Sequence, residues 1–313
     1  MRLTVPGNIL LLGEYAVTEE GGLGLAMAVE RRVRVAPHPW DELLVQGSWP
    51  GASVTWSPGS GGAPLVAAVV DAVCSWLRAE GRAPAWRTRL TVDSTGLFGA
   101  DGRKLGLGSS AAVAVGIACG LLEAAGVPPR ARDAAATGIA LAAHRAAQGG
   151  IGSGYDVLCS FHGGLGVVRG GERPSWEPWV PSLPLDVAVF PGTAPVATPG
   201  AVRRYRAWKE GDPVSARDFL RESNARVAAF LAADTDADRL AALAAYRGLC
   251  VALGDAIGVP ARIGVPDGVD AARCKTLGAG NELGVCLLAD GGAPLPPTLL
   301  PAPLAATGVA WSP

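Results

Sequence analysis

The opening residues read as β structure. Arg2–Val5 predicts a short strand, Pro6–Gly7 a turn, and Asn8–Leu12 a second, apolar strand that stops near Gly13. The stretch AMAVERRVRVAPHP, residues 26–39, alternates valine with arginine and predicts a further strand, and residues 41–49 and 52–58 suit two short ones. Apolar positions then recur at helical spacing over residues 63–81, with Gly81 as the stop. WRTRLTVDST, residues 86–95, alternates as a strand with one wet face. A helix is expected from about Ser109, and another that starts at Pro128–Pro129 and ends at Gly149–Gly150.

The pattern changes after residue 169. RGGERPSWEPWVPSLP, rich in Pro, Gly and Trp, predicts a connection between domains, here divided as 1–170 and 171–313. Beyond it, residues 185–191 and 284–290 predict strands, 215–233 and 236–258 helices, and 308–313 a closing strand. Strands cluster ahead of helices in the first half, which makes the class α+β.

Composition narrows the function. With 49% hydrophobic residues in 313, there is ample material for cores, and the net charge of −1 speaks against a nucleic-acid or acidic-membrane partner. The longest apolar run, Ala111–Leu122, falls short of the roughly 20 residues a bilayer requires. Six scattered cysteines without Cys-x-x-Cys spacing predict buried free thiols, and three histidines argue against a His-based zinc site. A soluble, cytoplasmic protein acting on a small molecule is expected, with a homodimer left open.

The chemistry concentrates in three glycine-rich stretches. In RKLGLGSSAAVAVGIACGLLEAAG, residues 103–126, Gly106, Leu107, Gly108, Ser109, Ser110 and Ala111 lead straight into an apolar helix. A helix start offers free backbone N–H groups and the positive end of the dipole, so it binds phosphate without a charged side chain. Ser109 and Ser110 add hydroxyls, one of which can ligate Mg²⁺, and Lys104 lies just upstream. The same letters fit Gly-x-Gly-x-x-Ala, but that dinucleotide fingerprint needs a strand directly before it, and residues 94–104 are polar and glycine-rich. A nucleophile elbow needs Gly-x-Ser-x-Gly, which is absent. A small-residue helix start that merely packs tightly is the plain alternative.

The second stretch, GGIGSGYDVLCSFHGG, residues 149–164, reads as a Gly-Ser loop carrying one acid, Asp156, with no obvious local cation. The third, CKTLGAGNELG, residues 274–284, places Gly278, Ala279 and Gly280 between a helix-like segment and a strand. Three such loops suggest one composite phosphate-handling site.

Together with PGNILLLGEYAV, residues 6–17, these stretches resemble the GHMP kinase superfamily, in the family's order and over nearly the whole chain. Tyr15 in GEYAV and AHRAAQGGIGSGYDV, residues 143–157, look most like phosphomevalonate kinases. The resemblance implies a ribosomal protein S5 domain 2-like N-terminal domain and a ferredoxin-like C-terminal one. It implies that ATP phosphates lie on Lys104 and Gly106–Ala111, with Ser110 on Mg²⁺. It implies that Asp156 orients or deprotonates the acceptor hydroxyl. Glu14, Tyr15, His144, Ser153, Gly154, Arg203 and Gly278–Gly280 would face the substrate, with Arg145, Arg204 and Arg206 as further cations.

Two positions depart from the family pattern. Its first-motif lysine, which stabilises charge near the catalytic acid, is Asn8, and its third loop continues here as Asn281–Glu282. Another cation, Lys104 or Lys275, would then have to reach the site. The expected activity is phosphoryl transfer from ATP to a small anionic alcohol or phosphate monoester, phosphomevalonate first. The alternatives are a kinase or decarboxylase for another metabolite, or a nucleotide-binding homologue without catalysis.

Overall fold

The computed structural model describes residues 1–312 apart from 85, 193–197 and 290–294; the last residues of two expected strands, Asp290 and Pro313, lie outside that set. The chain forms two compact units that are discontinuous in sequence rather than two consecutive halves. Unit 1 holds residues 1–8, 28–164 and 305–313, and unit 2 holds 9–27 and 165–304.

The strands are β1 (Arg2–Leu12), β2 (Leu23–Pro39), β3 (Leu44–Trp49), β4 (Ala52–Trp56) and β5 (Thr88–Asp93), followed by β6 (Leu165–Arg169), β7 (Ser175–Pro178), β8 (Val187–Pro191), β9 (Cys274–Leu277), β10 (Leu283–Leu287), β11 (Leu300–Pro301) and β12 (Ala310–Ser312). The helices are α1 (Pro64–Ala79), α2 (Ser109–Ala124), α3 (Pro129–Ala147), α4 (Tyr155–His162), α5 (Thr198–Gly211), α6 (Pro213–Leu231) and α7 (Asp236–Ile257).

In unit 1 the sheet runs β12-β1-β2-β5-β3-β4. No turn interrupts β1 at Pro6–Gly7, contrary to expectation. Its pairing with β12 covers Arg2–Thr4 and stops before Pro6, so the missing N–H costs no bond in that ladder. Gly7 serves a close approach instead, since a Cβ there would lie 2.6 Å from the Leu107 carbonyl oxygen. Helix α2 is buried along almost its whole length. Its small residues let the sheet come close: a Cβ on Gly116 would sit 2.8 Å from Val35. The long apolar run after the Gly-Ser loop is therefore a core helix, flanked by α1, α3 and α4.

In unit 2, β6 pairs with Leu23–Met27 of β2 and with β7. The second sheet runs β11-β8-β10-β9 and is antiparallel throughout. Counted within that sheet, this is strand order 4-1-3-2, the ferredoxin-like order, and the first crossover carries α5, α6 and α7. By length and composition alone α7 could cross a membrane. It buries Leu243, Tyr246, Cys250 and Leu253 in this unit.

Several local expectations change. Residues 155–162 form α4, not a loop, and 274–277 form a strand, not a helix-like segment. The expected connection at 169–184 contains β7, and α5 and β6 are additional elements.

Candidate functional site

The expected site residues assemble as two clusters, one in each unit. In unit 1 the first is built on the start of α2. Gly106 and Gly108 have φ of 72° and 66°, conformations that a side chain would strain. No side chain caps the first turn of α2, so its first N–H groups have no side-chain partner. Leu107 is buried and anchors the loop, while Lys104 is exposed and bridges to Phe98.

Asn8 pins this loop from below. Its backbone N–H donates to Leu107 O at 3.0 Å, and its side-chain amide donates to Ser160 Oγ at 2.9 Å and, more weakly, to Gly108 O at 3.5 Å. Asn8 is 1% exposed, and a Cβ on Gly108 would fall 2.1 Å from its amide nitrogen. Its Oδ1 is buried without a partner.

Asp156 stands in the first turn of α4, behind Gly154 at φ 85°. Its Oδ1 accepts from Val157 N–H at 2.9 Å, and its Oδ2 lies 3.5 Å from His144 Nδ1. The acid is therefore not without a basic neighbour, as the sequence suggested. His144, in the last turn of α3, is 2% exposed, and its Nε2 lies 3.0 Å from Ser110 Oγ and 3.3 Å from Gln148 Nε2. Ser110, His144 and Asp156 thus form one line, and His144 has no open face toward a substrate. Burial pushes the thiol of Cys159, on the same helix, well up, and the Asp156 charge adds to this, so the thiol stays protonated.

Arg145 braces the neighbouring loop, donating to Gly152 O at 2.8 Å and Ser153 O at 3.0 Å. It is a structural residue rather than a free cation. Ser160 and Gln148 were not anticipated. Both sit one helical turn from an expected residue, Asp156 and His144, and only helical geometry makes that spacing meaningful.

The second cluster lies in unit 2. Tyr15 takes φ 62°, unusual for a bulky residue. Its hydroxyl donates to Ala279 O at 2.7 Å, and its ring packs 5.2 Å from that of Tyr205. Gly278, Ala279 and Gly280 form the β9–β10 hairpin loop, with Gly278 at φ 69°. Glu282 is exposed and Asn281 is buried.

Glu14 does not present a free carboxylate. It is 4% exposed and paired with Lys275, which is fully buried and also donates to Thr276 O. Burial raises the Glu14 carboxyl above its ordinary value, and the Lys275 charge opposes that rise. Lys275 is therefore committed to this pair and replaces no missing site lysine. Arg203, Arg204 and Arg206 are exposed on α5, and Arg204 donates to Gly258 O at 2.7 Å.

Residues 102–164 match the family model described as the GHMP kinases N terminal domain. No curated protein sequence matches the chain. Among solved structures it is similar to a Lin0012 protein from Listeria innocua, with 20% identity, 99% of both chains covered and a TM-score of 0.79. It is also similar to Streptococcus pneumoniae phosphomevalonate kinase in complex with phosphomevalonate and AMPPNP, with 17% identity, 92% of this chain and 93% of that one covered, and a TM-score of 0.69. L. major mevalonate kinase in complex with R-mevalonate follows at 17% identity, 93% and 88% coverage and 0.67. The chain has the two-domain α+β fold of the GHMP kinases.

Proposed function

We propose that this protein is an ATP-dependent kinase of the GHMP type that phosphorylates a small anionic alcohol or phosphate monoester, phosphomevalonate first. One observation carries the reading. The uncapped start of α2 and the line Ser110–His144–Asp156 meet in unit 1 within the segment that matches the family model. Phosphoryl transfer asks a protein chiefly for positioning and electrostatics, and this cluster offers both. The backbone N–H groups of Ser109, Ser110 and Ala111 would hold phosphate oxygens. Asp156 would accept the proton of the acceptor hydroxyl.

The donor set fits Mg²⁺ as an ion carried by the nucleotide. Among the described residues no group of three His, Cys, Asp or Glu side chains could hold a metal by itself. The Ser110 hydroxyl is an oxygen donor suited to an ion already held by phosphates. When bound, the ion would neutralise charge on those phosphates. Tyr15, Arg203 and the Gly278–Gly280 loop belong to the proposal as acceptor-side groups, whereas Glu14 and Arg145 have structural partners.

The relatives of known activity support the substrate class without selecting the substrate. The test is ADP release with Mg-ATP across mevalonate, phosphomevalonate and other small hydroxy acids and sugar phosphates. Acceptor-dependent ADP release, strongest with a phosphate monoester, is expected. ADP release that no acceptor raises would overturn the kinase assignment, and a neutral sugar as the best acceptor would overturn the anionic-substrate part.

A further inference from the structure

We propose that His144 is a positioning residue with two separable tasks: Nε2 fixes the Ser110 hydroxyl, and Nδ1–H orients the Asp156 carboxylate. The proposal rests on the kinase reading for its kinetic consequences but not for its geometry.

The tautomer follows from the neighbours. An ionised carboxylate only accepts hydrogen bonds, so the ring nitrogen that faces Asp156 Oδ2 at 3.5 Å must carry the proton. In the neutral ring Nε2 is then the acceptor. Its two neighbours can both donate: the Ser110 hydroxyl at 3.0 Å and the Gln148 side-chain amide at 3.3 Å. Every group around the ring agrees with one tautomer.

Burial makes the arrangement specific. At 2% exposure the imidazole has almost no water to turn to. Its Nδ1 is buried without a hydrogen bond of good geometry, so the group aimed at Asp156 is the one left open. A movement of about half an ångström would close that gap, and catalytic hydrogen bonds of this kind commonly tighten only with ligand bound. His144 and Gln148 are four residues apart on α3, so the amide supports the ring from its own helix.

Ser110 and Asp156 start different helices, α2 and α4, each behind a glycine in the left-handed region. The side chain of His144, in α3, spans them. The ring sets the direction of the Ser110 hydroxyl, whose lone pairs then point away from His144 toward the phosphate side. It also sets which Asp156 oxygen is left to the acceptor.

Two conservative variants divide the tasks. In His144→Asn the amide can stand where Nδ1 was and donate to Asp156, but nothing reaches Ser110. In His144→Gln the side-chain oxygen can reach the Nε2 position and accept from Ser110, but the contact to Asp156 is lost. Steady-state kinetics should therefore separate. His144→Asn raises KM for Mg-ATP by about fivefold, the worth of one hydrogen bond, and changes kcat less. His144→Gln lowers kcat by about tenfold or more and changes that KM less. Equal changes in both variants, in step with their melting temperatures, would show a packing role only and overturn the proposal.

A second measurement does not need activity. Nitrogen NMR of imidazole-labelled protein should show His144 protonated on Nδ1 and not on Nε2 at neutral pH, with the Nε2 signal moving in Ser110→Ala. The opposite tautomer would overturn the proposal even if the kinase reading stands. The predicted tautomer in a protein without kinase activity would retain the geometry and refute the function alone.

Discussion

Asn8 shows how one side chain can look like a loss in sequence and a fixture in structure. Where the family pattern has a lysine, Asn8 holds the glycine loop before α2 and Ser160 of α4 through short bonds in a buried place. A lysine would lose the side-chain amide bond to Ser160 and have to thread past Gly108. Asn8→Lys is therefore expected to lower both the melting temperature and kcat/KM on the best acceptor; a tenfold gain in kcat/KM would instead mark Asn8 as a decayed catalytic position. Asp156 gives a second test at this scale. Asp156→Asn keeps the bond-accepting oxygen near Val157 N–H, so fold and nucleotide affinity should persist while kcat falls by about 10²–10⁴-fold, the usual worth of a positioned base. Activity within about twofold of the native protein would remove Asp156 from that role.

Elements explain which of these roles were readable. The start of α2 was legible because small residues meet a long apolar run there, and the core position of that helix gives the run its reason. Helix α4 was not legible: eight residues between glycines carry too little periodicity to stand out from a loop. Missing it hid the one-turn spacing of Asp156 and Ser160. Long-range partners were equally invisible, since nothing near Glu14 in sequence announces Lys275 on β9. That pair yields its own prediction. Lys275→Met leaves the Glu14 carboxylate buried alone and should cost about 3–5 kcal/mol at neutral pH, while adding Glu14→Leu should recover most of it. The pH dependence has a definite sign. Burial already raises the Glu14 carboxyl above its ordinary value of 4.5, and loss of Lys275 removes the charge that opposed the rise. The folded state then holds the proton more tightly than the unfolded one, so the single variant loses stability as pH climbs from that value through the raised one. Denaturant melts at acid and neutral pH check this; a single variant that is no less stable at neutral pH would contradict the buried-pair account.

At the scale of the whole molecule, the α+β class and most strands and helices followed from pattern, and the motif order carried the fold family. The discontinuity of the two units did not, because residues 9–27 and 305–313 join distant segments through pairings that no local pattern encodes. The ferredoxin-like order of unit 2 rests on pairs such as Val189 with Leu300, equally remote in sequence. Function is concentrated more narrowly than fold, and the central claim is that nucleotide phosphates rest on the start of α2 beside Ser110. Calorimetric titration of AMPPNP, with and without Mg²⁺, into the native protein and Ser110→Ala tests it most directly. The account predicts binding to the native protein, with Mg-AMPPNP weakened by about tenfold or more in the variant and metal-free AMPPNP weakened far less. No binding to the native protein, or the same affinity for Mg-AMPPNP in both proteins, would contradict it.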